Sequence, residues 1–178
     1  MATRRQMQTL PHLCADAARL VTDMEGETDR GVALLAVAFL DDVLDLFLRA
    51  SFVNDAEAVN RLIGPGRPLE SFGSRAHIGY CIGLLGADVY NDINLIREIR
   101  NDFAHRQPTN FEQGDIGAKC NKLRCVAPML HEIESCTGRE RFIASVVVIA
   151  NHLIVQASER SHAKQAKSFS ENGVLRLR

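Results

Sequence analysis

The run GVALLAVAFLDDVLDLFLRASF, residues 31–52, narrows the folds open to this chain more than any other stretch. Its length, about six turns, and its Leu and Ala content predict an α-helix. On a helical wheel it is apolar almost all round, so it belongs in the middle of a helical assembly where every face can be covered. One arc breaks the pattern. Asp41, Asp42, Asp45 and Arg49 collect within about 100° of one another, and such a stripe must face either solvent or an internal cation. Arg97 and Arg100, further along the chain, are the candidate cations.

Those two arginines lie on a second amphipathic segment, DVYNDINLIREIRNDFAH, residues 88–105. Val89, Ile93, Ile96 and Phe103 recur at helical spacing and predict a buried stripe. Arg100 falls inside the arc of Ile93, Ile96 and Phe103, so a permanently charged group is expected where apolar side chains point. Pro108 disfavours helical geometry at the residue before it, which leaves His105 near an exposed helix end.

Around these two helices the remaining chain reads as shorter helices and connectors. Leu10, Leu13, Ala17, Leu20 and Val21 predict a first helix within residues 4–23, with Pro11 in an early turn. Residues 55–63 form a short helix capped by Asn54 or Asp55 and stopped by GPGRP at 64–68. That loop lacks the GxxxxGK[ST] spacing of a phosphate-binding loop. Residues 69–85 read as a helix with Ile78, Ile82 and Leu85 on one face, while Gly73, Gly79 and Gly83 imply close packing against the 88–105 helix. A further helix is expected from about residue 116 to Val126, before Pro128. Within 141–161, VVVI favours a strand by propensity, but the spacing of Phe142, Ser145, Val146, Ile149, Leu153 and Gln156 favours a helix. The expectation is an all-α, compact single-domain bundle of six to seven helices over residues 1–161, with a polar, basic and flexible tail over 162–178.

A net charge of −1 and a pI near 6.6 carry no general electrostatic footprint for nucleic acid. No basic recognition helix in a helix-turn-helix pattern is readable, so direct DNA binding is not expected. The apolar run 31–48 is interrupted by three aspartates and does not read as a membrane span. Five Cys with no signal-peptide pattern ahead of them predict a reduced, cytoplasmic setting.

Three constellations could carry chemistry. Cys120, Cys125, His131 and Cys136 are too widely spread for the usual structural zinc site and read as packed thiols, so no metal or other cofactor is expected. Ser74, Arg75 and His77 read as capping and surface residues, and Cys81 as a thiol packed on an apolar helical face. Arg100 and His105 stand about 140° apart on an ideal helix, yet around a helix end they could line one cleft. An arginine holding phosphate charge and a histidine moving a proton would suffice for metal-free RNA cleavage. Equally, Arg100 could be neutralised by the aspartates of the 31–52 helix while His105 suits the helix C-terminus.

Taken together, FLDDVLDLFL, GSRAHIGYCIGLL and DVYNDINLIREIRNDFAH resemble the mannitol operon repressor family over roughly residues 30–160, most specifically over 74–105. That resemblance implies a helical, cytoplasmic bacterial regulator that is non-enzymatic and often self-associating, with an unidentified protein partner. Under it Asp41, Asp42, Asp45, Arg97, Arg100, Asn101, Asp102 and His105 are structural or interaction residues. Separately, RNDFAH (100–105) is similar to the Arg-x4-His motif of HEPN-type helical domains. This second resemblance implies the alternative of an RNA-binding module or metal-independent ribonuclease with Arg100 and His105 as its catalytic pair.

Overall fold

The computed structural model describes residues 13–105, 110–125 and 136–168, with side chains followed as far as residue 162. Seven helices and no strand appear among the described residues: α1 Ala15–Met24, α2 Asp29–Ser51, α3 Ala56–Leu62, α4 Phe72–Cys81, α5 Ala87–His105, α6 Gly114–Cys120 and α7 Gly138–Ser168. The all-α bundle expected from periodicity is the architecture found.

Local capping sets several helix starts. The Thr28 hydroxyl accepts from the Gly31 N–H at 3.1 Å and opens α2, Asp55 accepts from Ala58 N–H at 3.0 Å and opens α3, and Ser71 accepts from Ser74 N–H at 3.0 Å and opens α4. Each cap satisfies a backbone donor that the helix itself cannot reach.

The long apolar helix α2 is central. It packs along α7 and also against α5, α4 and α1. Val32, Ala33, Ala36, Leu40, Leu44, Phe47 and Leu48 are fully enclosed by these neighbours. Burying a Leu or Phe side chain contributes about 1.5–3 kcal/mol, so this one helix organises much of the hydrophobic stabilisation. The VVVI run lies in α7, where Phe142, Val146, Val147 and Ala150 are buried. Tertiary cover and helical periodicity outweigh the strand preference of its β-branched residues. The helix over residues 138–162 is long and apolar enough to cross a membrane by length and composition. Of the most apolar 18-residue window within it, 56% is buried inside the bundle, which is where the apolar content is used.

Phe103, Phe111 and Phe142 join α5, the segment after it and α7, with ring centroids 4.6 and 4.9 Å apart. Arg139 anchors the start of α7 by donating to Asp29 Oδ1 at 2.5 Å and to the Glu27 carbonyl at 2.7 Å. Arg30 donates to the Ala104 carbonyl at 3.1 Å, satisfying an acceptor near the end of α5. The beginning of α2 is thereby tied to α5 and α7 together.

Several helix ends differ from the periodicity-based expectation. The helix expected over 69–85 stops at Cys81, because Gly83 adopts φ +75° and the Gly83 and Leu84 N–H groups bond back to the Tyr80 and Gly79 carbonyls. This is the αL-terminated pattern that glycine permits. The helix expected to reach Val126 ends at Cys120, and the backbone beyond it is held from α5. In the other direction, α7 runs over Gly138–Ser168, longer at both ends than the 141–161 helix expected. Leu10 and Pro11, the C-terminal part of the expected tail and Pro108 lie outside the described residues.

Candidate functional site

The acidic stripe of α2 has a cation, but it is neither Arg97 nor Arg100. Arg75, the fourth residue of α4, is 8% exposed and donates Nε to Asp41 Oδ1 at 3.1 Å, with Nη2 closer still to the same oxygen. Its Nη1 donates to the Leu69 and Glu70 carbonyls at 3.0 and 2.9 Å and lies 3.9 Å from Asp45 Oδ1. Arg49 completes the arrangement, donating to Asp45 Oδ2 at 2.6 Å, Asn60 Oδ1 at 2.8 Å and the Ile63 carbonyl at 3.3 Å. The stripe therefore ties α3, the turn at Leu69 and Glu70, and α4 to α2, while Asp42 remains exposed.

The reading of Ser74, Arg75 and His77 as capping and surface is corrected at Arg75. The preceding turn presents two carbonyls that only a long, forked donor can reach while also meeting Asp41. Arg97 is exposed, and its guanidinium lies over Gly73, where an added Cβ would be 3.3 Å from Nη1. Of the glycines expected to pack against the 88–105 helix only Gly73 does so; an added Cβ at Gly79 would stand 3.0 Å from Leu85 and 3.7 Å from Leu48 of α2 instead, and one at Gly83 would meet nothing among the described residues within 4 Å.

Arg100 occupies the flank of the α5 stripe and is half-buried; its Nη1 donates to the side chain of Asn101 at 3.2 Å. The fully buried Ile99 and Asp92 shift the true centre of the stripe away from Arg100. His105 is exposed at the helix end, and no hydrogen bond joins it to Arg100. Asp102 accepts from Lys119 Nζ at 2.7 Å, with Glu98 3.3 Å from the same ammonium. Burial lowers the Lys119 pKa, but the hydrogen bonds and charges of Asp102 and Glu98 outweigh it and leave it raised. The RNDFAH segment is thus partly spent on holding α6 and the end of α5.

Asp92 is the charged residue that α5 does bury. It is 0% exposed, and its two oxygens accept from Arg124 N–H at 3.0 and 2.9 Å and from Cys125 N–H at 2.8 Å. This carboxylate replaces further helical hydrogen bonding after α6. Its position four residues before Ile96 marks it as lying on the apolar stripe, a sequence signal that the choice of Arg100 as the anomaly obscured.

Of the spread thiols, Cys120 is buried and Cys125 and Cys136 are half-buried. His131 lies outside the described residues, and among those described no group of three potential metal ligands comes together. Burial pushes the Cys120 thiol up to about 12, helped by the charge of Glu112. Burial, with Asp92 beside it, pushes Cys125 up to about 12 as well.

Cys81 departs from its expected packing. It is exposed at the last position of α4, with its Sγ 3.7 Å from His77 Nε2. His77 Nδ1 lies 3.0 Å from the Tyr90 hydroxyl, and the Tyr90 ring stacks on Tyr80 with centroids 4.5 Å apart and planes at 4°. Helical spacing alone placed Cys81 among apolar neighbours; the turn at Gly83 instead leaves it at an open helix end. Elsewhere the largest uncovered apolar side chains on α2 are Leu34, Leu35 and Leu46, at 37%, 38% and 51% exposure.

A search of curated proteins found no match. Among solved structures, the fold is similar to a chain of the MtlR–HPr complex from Escherichia coli, with a TM-score of 0.62 and 20% identity. The similarity covers 82% of this chain and 99% of that one. The family described as mannitol repressor (MtlR) matches residues 21–167, nearly the whole described bundle and beyond the 30–160 span of the sequence resemblance. The chain belongs to the mannitol repressor family.

Proposed function

We propose that this protein is a cytoplasmic, non-enzymatic transcriptional regulator of the mannitol repressor type, acting through protein–protein contacts and able to self-associate. The observation that carries the reading is the shared fold with a family member solved in complex with HPr. An HPr protein is accordingly the partner assigned to this chain. The uncovered Leu34, Leu35 and Leu46 on α2 support a role in contact, because covering exposed apolar side chains favours association. A pI near 6.6 and the use of Arg75, Arg49 and Lys119 in internal ion pairs are consistent with partners other than DNA.

A binding titration of the full chain with HPr tests the reading, and the expected outcome is saturable association. Gel-shift binding to a mannitol promoter that persists above moderate salt and beats unrelated DNA would overturn the assignment of protein contacts as the mode of action. Light scattering on the purified chain checks self-association, with a mass above that of one 19.7 kDa chain expected.

A further inference from the structure

Cys81 and His77 stand exposed on α4 and meet the half-buried Tyr90 of α5. A thiol becomes an effective nucleophile when a base lies within hydrogen-bond reach and a third group orients that base. Here the base is one helical turn before the thiol on the same helix, His77 Nε2 to Cys81 Sγ 3.7 Å, and the orienting group is the Tyr90 hydroxyl, 3.0 Å from Nδ1. Tyr90 is itself held by its stack on Tyr80. The tautomer with its proton on Nδ1 donates to the Tyr90 oxygen and leaves Nε2 free to accept from the thiol. The imidazolium would keep both contacts, donating from Nδ1 to Tyr90 and from Nε2 to a thiolate.

We propose that Cys81 is a modification site that forms a mixed disulfide with a low-molecular-weight disulfide, His77 taking the thiol proton. In the exchange the Cys81 S–H proton passes to His77 Nε2 and the sulfur attacks one sulfur of the small disulfide. The S–S bond of the small molecule breaks as the Cys81–S–S–R bond forms. Cys81 is oxidised, the departing sulfur is reduced, and the departing thiolate recovers the proton from the imidazolium. The other described thiols are less available: Cys120 is buried, while Cys14, Cys125 and Cys136 are half-buried. The adduct would stand beside Tyr80 and Ile82, which are 42% and 49% exposed, and would add a polar group to that apolar surface.

The test incubates the full chain with oxidised glutathione at neutral pH and follows adduct formation by intact mass and peptide mapping. The expected first adduct maps to Cys81, and C81S takes up none on that timescale. H77Q slows the reaction by about tenfold or more, below the full effect of a positioned base because the site is open to water. In denaturant the wild type and H77Q react at the same rate. First modification at another cysteine, or a native H77Q that keeps the wild-type rate, overturns the proposal. Should H77Q not fold, the comparison of folded with denatured wild type decides, because the proposal requires Cys81 to react faster in the folded chain.

Discussion

Arg75 and Arg100 show how a single residue's role depends on what its neighbours offer. Arg75 is enclosed and meets Asp41 together with two backbone carbonyls, whereas Arg100 lies on a flank and reaches the adjacent Asn101. Truncating Arg75 leaves carbonyls and a carboxylate short of a donor. Because Asp41 retains 32% exposure and can recover some hydration, Arg75→Ala is expected to cost about 3 kcal/mol, the low end for breaking a buried pair. Arg100→Ala and His105→Ala should each cost less than about 1 kcal/mol. Urea unfolding of the three variants measures this, and the reverse order would contradict the clamp. The sequence shows the acidic stripe plainly, but the choice of its cation depends on how the turn at 67–71 folds back, which periodicity does not encode. The raised thiols give a pH dependence. Cys120 and Cys125 keep protons in the folded chain that the unfolded chain releases from pH 9.0 upward, so their contribution is fully present below 9.0 and is lost as pH rises toward about 12. Lys119, raised above 10.5, acts in the same direction at still higher pH. Urea midpoints should therefore be steady with respect to these groups near neutrality and fall above about pH 9.

At the scale of elements, helix ends decide which residues meet. Periodicity identifies the helices well because buried faces repeat at 3.6 residues, but it does not report where a competing acceptor ends one. Asp92 illustrates this, since a carboxylate on α5 supplies the hydrogen bonds that end the run after Cys120. Asp92→Ala should cost about 2–3 kcal/mol by leaving two backbone N–H groups unpaired, and hydrogen exchange at Arg124 and Cys125 should accelerate. Unchanged exchange there would remove the carboxylate from that role. Gly138 is a second end with a strict demand, because an added Cβ would come within 2.3 Å of the Phe111 carbonyl oxygen. Gly138→Ala should lower the thermal midpoint, with a cost of about 1–3 kcal/mol from overpacking. A midpoint equal to wild type would mean that α7 can start without that close approach.

Across the whole molecule, the 31–52 run was legible as the central helix because nearly every face of it is apolar, and α2 does lie against α7, α5, α4 and α1. The family resemblance carried by residues 74–105 likewise extends to a match over 21–167. Less legible was what each polar residue on that frame does: Asp41 and Asp45 are taken up by the clamp and Asp102 by the Lys119 pair, whereas Asp42, Arg97 and His105 stay exposed. The proposed function places the working surface on the exterior of the bundle, where a protein partner would dock. Calorimetric titration of the full chain with HPr tests that claim most directly. The account predicts a saturable binding isotherm; the absence of any binding at concentrations well above the micromolar range would contradict it.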